Sequence, residues 1–159
     1  MRAAAANARS VTSPAALPLQ VFAQSEAPVD IDAWSAHASR FFATRIGLAG
    51  EKDAFVIAPD GHSPGIRSAT ARPSTDEDFA EADAAEARRG GGGLALLARR
   101  CRTVWVIPRE TPSDALALRL AAILASLLLG PILDPATGEI FGVKSARAKL
   151  EASAQSRTS

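Results

Sequence analysis

The sequence predicts an α/β domain: a small sandwich of two or three layers, with three to five strands and a buried helix rich in alanine and leucine. Short apolar runs with β-branched and aromatic residues alternate with amphipathic segments along the chain. Hydrophobic residues make up 47% of the chain and charged residues 22%, close to the averages of globular proteins. One segment, TPSDALALRLAAILASLLLG, is apolar on most sides and therefore predicts a helix inside the core.

The 159 residues are expected to form a single domain over residues 17–152. Residues 1–16 contain two arginines and no acid, and their apolar run is too short for a signal peptide, so they predict a disordered tail. An organellar transit peptide and a start codon placed too early are the alternatives. Residues 153–159 predict a second disordered tail, because they are polar. Abundant alanine and few lysines are typical of a bacterium with a GC-rich genome.

Two strands and a helix are predicted in the first third of the chain. The run LPLQVFAQ favours a strand, and DAFVIAP (53–59) favours a strand that is buried on both faces. Between them, a helix is expected at about 31–46, because Asp30 can cap its start and Gly47 can end it. The segment 66–73 remains open between an exposed strand that folds back on 53–59 and a mobile loop.

Four consecutive glycines in RRGGGGLALLARRC (88–101) follow a helix predicted at 76–89. A capping box of Thr75 and Asp78 begins this helix, and Gly90 stands where a helix-ending glycine belongs. The glycines are therefore interpreted as a connector to a short helix, in which Gly90 is the glycine that tolerates alanine least.

An anion site is the alternative interpretation of the same glycines. Leu94 would open the short helix without a side-chain cap, and uncapped amides next to arginines can hold an anion. The candidate residues are Gly92, Gly93 and Leu94.

A strand at 102–108 leads into the most strongly predicted helix, at 112–129. Thr111 is expected to cap this helix, Asp114 to complete a capping box, and Gly130 to stop it together with the following proline. After it, ILDPATGEIF (132–141) predicts a small hairpin and KSARAKLEA a terminal helix.

Three stripes run along the helix at 112–129. Leu120 and Ile123 lie on a heavy apolar stripe that is expected in the core, and Arg119 lies on a narrow stripe that is expected to meet water. Arg119 and the capping signals also disfavour a membrane span. A third face is small and apolar. If no other element of the chain covers it, a second copy would, so a homodimer is the expected assembly. This face consists of Ala117, Ala121 and Ala125.

Polar side chains follow two of the predicted strands, which makes them the candidate ligand-binding residues. If the strands 53–59 and 102–108 are parallel, the residues after them emerge on the same rim of the sheet, where open α/β sheets bind ligands. A carboxylate, an imidazole and a guanidinium at this rim could also perform acid–base chemistry. The residues are Asp60, His62 and Ser63 after the first strand, and Arg109 and Glu110 after the second.

The leading functional prediction is a cytoplasmic, non-enzymatic binding or protein-interaction module whose partner is another protein or a second copy. A small enzyme that uses the rim residues is the first alternative. An RNA-contacting protein that uses the arginines of segment 88–109 is the second, which a net charge of +1 disfavours. Cys101 is expected to be a small buried residue. No cofactor and no metal are predicted, because one cysteine and two histidines leave little material for a zinc site.

Overall fold

The computed structural model describes residues 17–158, and the predicted tail at 1–16 lies outside them. Two antiparallel sheets and a set of helices form the α/β domain that the sequence predicts. In chain order the elements are β1 (Leu19–Ala23), α1 (Ile31–Phe42), β2 (Thr44–Leu48), β3 (Ala54–Pro59), β4 (Gly65–Ser68), β5 (Thr70–Pro73), α2 (Asp76–Arg89), α3 (Leu94–Arg99), β6 (Thr103–Ile107), α4 (Ala115–Leu128), β7 (Ile132–Asp134), β8 (Glu139–Phe141) and α5 (Val143–Thr158).

The larger sheet has the strand order β5-β6-β1-β7-β8, and the smaller one has the order β2-β3-β4. All neighbouring strands are antiparallel. The segment 66–73 is strand and not loop: β4 folds back on β3, with Ile66 opposite Val56, and β5 joins the other sheet. Only Ala69, which is fully buried, separates β4 from β5, so one extended segment links the two sheets.

Successive side chains of the larger sheet enter two different cores, as the strand period of two requires. Val21 and Ile132 face the core around α4, whereas Phe22 and Leu133 face the alanines of α2 and α3. The central α4 packs against β1 on one side and against α5 on another. Helices therefore cover both faces of the five-stranded sheet.

The end of the first helix differs from its prediction. Asp30 caps α1 as expected, accepting a hydrogen bond from the Ala33 amide at 3.2 Å. The helix ends at Phe42, however, because Ala43 adopts the left-handed conformation with φ 48°. The predicted end at Gly47 is wrong, since Gly47 lies inside β2, a strand that the helical spacing of the apolar residues concealed.

The start of α4 is also later than predicted. Asp114, and not Thr111, is the N-cap, and its side chain accepts a hydrogen bond from the Ala117 amide at 3.1 Å. A capping box that begins at Thr111 would need residues 112–114 to be helical, but Asp114 has an extended backbone (ψ 95°). This places the Asp114 carboxylate at the mouth of a cavity that is described below.

Gly130 follows α4 for a reason that the sequence does not reveal. The left-handed residue that ends the helix is Leu129, with φ 62°. A β-carbon at Gly130 would lie 1.8 Å from the Phe22 carbonyl oxygen, so only glycine lets this segment approach β1. Gly130 therefore serves packing, whereas the sequence predicts it as a helix stop.

The burial of α4 confirms the predicted core stripe and corrects the other two stripes. Leu120 and Ile123 are fully buried, as expected. The stripe expected to meet water does so only in part, because Ala122 is fully buried and Arg119 is half-buried and hydrogen-bonded to α1 and β2. The small face is buried within the chain, so it is not available to a second copy as the homodimer argument required. Its residues are Ala117, Ala121 and Ala125.

The C-terminal elements agree with the predicted hairpin and helix. Ile132 in β7 lies opposite Phe141 in β8, and Gly138 has a positive φ of 71° in the turn. Helix α5 continues to Thr158, where a polar tail is expected from the sequence. Among residues 17–158, none of the helices is both long and apolar enough to cross a membrane.

Candidate functional site

A cavity of about 460 Å³ lies where the β3–β4 turn faces α4 and α5. We call it the turn cavity. The turn contributes one side of its lining, β4 and the start of α4 contribute charged side chains, and α5 contributes a further side. Its polar lining residues are His62, Ser63, Arg67, Asp114, Arg119 and Ser153.

The structure brings together only some of the predicted rim residues. His62 and Ser63 line the turn cavity, and Glu110 lies at its edge, 3.3 Å from Arg67. Asp60 is exposed and does not line this cavity. The expected common rim does not exist, because β3 and β6 lie in different, antiparallel sheets.

Arg109 is separated from the other predicted rim residues and stabilises the fold. Its side chain is almost completely buried and donates hydrogen bonds to both carboxylate oxygens of Asp134, at 3.0 and 3.2 Å. Its Nε also donates to the Leu17 carbonyl oxygen at 2.8 Å. Arg109 therefore joins the chain before β1 to the end of β7.

The Asp114 carboxylate is fully used by the protein itself. It accepts hydrogen bonds from Arg67 Nε at 2.8 Å and Nη2 at 3.1 Å, and from the amides of Glu110 and Ala117. Burial alone would raise the pKa of Asp114, but the hydrogen bonds from Arg67 and the two amides outweigh burial and hold this pKa below its usual value. Asp114 is therefore an ionised side chain that positions Arg67, and it is unsuited to be a general acid.

Arg119 is the residue of the turn cavity whose charge is not compensated. It lies in the middle of α4, and its Nη1 donates to the Phe42 carbonyl oxygen and to Thr44 Oγ1, each at 3.2 Å. None of the described carboxylates lies within 4.0 Å of it, whereas Arg67 and Arg109 both have carboxylate partners. Burial lowers the pKa of the Arg119 guanidinium, which reflects the cost of holding this charge away from water.

Two nitrogens of Arg119 remain available to a ligand. Its Nε and Nη2 donate to no side chain or carbonyl of the described residues. Among the described side chains, Gln20 Oε1 is the one fully buried polar atom without a hydrogen-bond partner. Since Nε and Nη2 of Arg119 are also without such a partner, they are not fully buried. The guanidinium is therefore fixed at Nη1 and open at its other nitrogens.

The glycine-rich segment is arranged as a connector between two helices. The predicted capping box of α2 is present, and Gly90 ends this helix in the left-handed conformation, as expected. At the start of α3, Gly93 gives no side-chain cap, but the Glu86 carboxylate accepts a hydrogen bond from the Ala95 amide at 2.9 Å. A carboxylate of the protein thus lies beside the candidate anion site of Gly92, Gly93 and Leu94, which favours the connector interpretation.

We expect Gly92→Ala to destabilise the protein more than Gly90→Ala, contrary to the order that the sequence suggests. The φ of Gly92 is 128°, which is almost inaccessible to a residue with a β-carbon, whereas the φ of Gly90 is 85°. The expected losses in the free energy of unfolding are about 1–3 kcal/mol for Gly92→Ala and about 1 kcal/mol for Gly90→Ala. Urea unfolding of both variants measures the order, and equal tolerance would show that the segment relaxes.

Cys101 is buried, as the sequence predicts, and its burial disfavours the reactive thiolate form. Its Sγ lies 3.4 Å from the Leu97 carbonyl oxygen, inside the core between α3 and the larger sheet. Burial raises the pKa of the Cys101 thiol to about 11. The thiol is therefore neutral near pH 7, in spite of the arginines beside it in the sequence.

The arginines of segment 88–109 have different environments, and Arg99 and Arg109 are the two with carboxylate partners among the described residues. Arg88 and Arg89 donate to the carbonyl oxygens of Gly138 and Ile140, at 3.1 and 2.7 Å. Arg99 pairs with Asp83, and Arg109 is buried against Asp134. These four arginines therefore help to hold helices and strands together, whereas Arg100 and Arg102 are exposed.

Two residues that the sequence did not single out as ligands, Arg67 and Arg119, define the charge of the turn cavity. The signal for Arg119 was a charge inside an otherwise apolar helix, which the stripe pattern assigned to solvent. Within the described part of the chain, no group of three or more histidine, cysteine or acidic side chains is arranged to hold a metal ion. No family model, curated protein or solved structure matches this chain.

Proposed function

We propose that the protein is a non-enzymatic binding module that holds a small anionic ligand in the turn cavity, with Arg119 as the main contact. The supporting observation is that Arg119 is half-buried, is fixed through Nη1 alone, and has no carboxylate partner among the described residues. The hydrogen bonds to Phe42 and Thr44 fix the position of Arg119, but no described carboxylate balances its half-buried charge, which a bound anion would do.

The surroundings of Arg119 suit an oxyanion such as a carboxylate or a phosphate. The turn cavity also contains the His62 imidazole and the hydroxyls of Ser63 and Ser153, all of which can donate hydrogen bonds to an oxyanion. The one carboxylate in its lining, Asp114, is neutralised by Arg67 at 2.8 Å. Arginine also offers parallel N–H groups that match the geometry of these anions.

Binding is favoured over catalysis because the cavity contains no pair of groups suited to acid–base or nucleophilic chemistry. Asp114 is held ionised by its hydrogen bonds. The histidine–serine pair that is hydrogen-bonded among the described residues, His37 Nε2 with Ser126 Oγ at 2.8 Å, lies outside the turn cavity, so it does not activate a serine there.

Replacing Arg119 by methionine is expected to weaken anion binding about 10- to 100-fold. The loss corresponds to the charged hydrogen bonds that the guanidinium would donate to the ligand. Isothermal titration calorimetry with inorganic phosphate and with acetate measures it. Arg100→Met is the matched control, because Arg100 is exposed and lies outside the turn cavity.

Two results would contradict the proposal. One is wild-type protein that binds neither anion at concentrations up to about 10 mM, where even a weak site is detectable. The other is an Arg119→Met variant that binds the anion as tightly as the wild type and as tightly as Arg100→Met. Either result would remove Arg119 as the ligand contact.

A further inference from the structure

A second cavity, of about 370 Å³, adjoins the turn cavity along α4 and α5. Arg119, Leu150 and Ala154 line both cavities. The second cavity is otherwise formed by the end of α1 and by α5, and we call it the aromatic cavity. The lining residues used below are Arg40, Phe41, Phe42, Arg119, Arg147 and Glu151.

The aromatic cavity combines exposed aromatic surface with guanidinium groups. Phe41 is 44% exposed although it is a large apolar residue. The Arg40 guanidinium lies 5.1 Å from the centre of the Phe41 ring, and the Arg147 guanidinium lies 4.3 Å from the centre of the Phe42 ring. Phenylalanine rings and guanidinium planes are the surfaces on which planar, electron-rich rings stack.

The charge of the aromatic cavity is strongly positive. Three arginines line it against one glutamate, Glu151. Arg40, Arg119 and Arg147 all lack a carboxylate within 4.0 Å among the side chains that the structure describes. The field reaches the neighbouring His37, whose pKa is lowered first by burial and then by the charge of Arg147. A ligand for this cavity therefore carries negative charge as well as a flat ring.

Arg119 connects the proposed anion site with the aromatic cavity. Its Nη1 donates at 3.2 Å to the carbonyl oxygen of Phe42, the residue directly after Phe41. The Arg119 guanidinium, which would hold the oxyanion, is thus hydrogen-bonded to the residue next to Phe41, whose ring is exposed. An anion bound at Arg119 would place whatever group is attached to it next to the aromatic cavity.

We infer that the anionic ligand is a nucleoside monophosphate, whose phosphate binds Arg119 and whose base lies in the aromatic cavity against Phe41 and Arg147. This inference rests on the proposed function, because it identifies the group that is attached to the anion bound at Arg119. Phe41 is 44% exposed although His37 and Arg40 lie against its ring, and a phosphate sugar without a base would leave this exposed aromatic surface uncovered. A base is flat, stacks on aromatic and guanidinium surfaces, and is joined to the phosphate by a short sugar.

Titrations with inorganic phosphate, ribose 5-phosphate and AMP test separately whether an anion binds at Arg119 and whether a base binds in the aromatic cavity. The wild type is expected to bind AMP about tenfold more tightly than ribose 5-phosphate, the contribution of one stacked base. Phe41→Ala is expected to remove this tenfold preference while leaving the affinity for inorganic phosphate unchanged. Leu96→Ala is the control, since Leu96 is 63% exposed on α3 and lines neither cavity.

The results that overturn the inference differ from those that overturn the proposed function. Equal affinities of the wild type for AMP and ribose 5-phosphate would exclude a base site, while phosphate binding that depends on Arg119 would keep the anion site. A wild type that binds none of the three compounds would remove both. The comparison of AMP with ribose 5-phosphate needs no variant, and Phe41→Leu, which keeps an apolar side chain, replaces Phe41→Ala if that variant does not fold.

Discussion

Replacing Asp114 by alanine is expected to lower the free energy of unfolding by about 3–5 kcal/mol, the usual cost of removing one partner of a buried ion pair. The side chains of Asp114 and Arg67 are only 2% and 15% exposed, so the variant leaves a largely buried guanidinium whose remaining carboxylate partner is the exposed Glu110. It also removes the N-cap of α4, because the Ala117 amide loses its acceptor. Chemical denaturation monitored by circular dichroism measures the loss.

The matched control is Asp83→Ala, which breaks the pair between Asp83 and Arg99. Both of these side chains are about half exposed, so the expected loss is below about 1 kcal/mol. Because the folded-state pKa of Asp114 is lowered, its contribution is present above the ordinary carboxyl pKa of about 3.9 and is lost as the pH falls through the folded pKa. The difference between wild type and Asp114→Ala should therefore shrink in acid. A loss as small as that of Asp83→Ala would contradict the burial of this pair.

Replacing Leu120 by alanine is expected to cost about 2–5 kcal/mol of unfolding free energy. Leu120 is fully buried in the core around α4, so truncation both removes apolar contact and leaves a void. The same substitution at Leu96, which is exposed on a helix, is expected to be nearly neutral, since it buries no comparable surface. Thermal or urea unfolding of the two variants gives the comparison, and a Leu120→Ala variant as stable as Leu96→Ala would place this face of α4 in solvent.

The elements of the fold that could be predicted are those whose signals are local. The capping box of Thr75 and Asp78 marks the start of α2 to the residue, and Gly90 marks its end. The end of α1 could not be predicted, because Ala43, an ordinary alanine, takes the left-handed conformation there. The strand that follows Ala43, β2, pairs with β3, a contact that no short window of sequence contains.

The candidate site could be predicted only in part, for the same reason. His62 and Ser63 were predicted because turn residues after a strand are local features, and they do line the turn cavity. The helical pattern predicts that Arg119 faces solvent, because its neighbours on the same stripe are small. Its actual environment is formed by Phe42 and Thr44, more than 70 positions away in the chain. Contacts between residues that are distant in the sequence therefore place Arg119 at the proposed site.

Thermal unfolding of the wild type and Arg119→Met, each with and without phosphate, tests most directly the claim that Arg119 is kept for a ligand and not for the fold. Without phosphate, the variant is expected to melt close to the temperature of the wild type, because removing a half-buried charge that has no carboxylate partner offsets the loss of the two hydrogen bonds from Nη1. With phosphate, the wild type gains stability by mass action and the variant does not. A variant that melts several degrees lower without phosphate, and that phosphate then stabilises as much as the wild type, would contradict the claim.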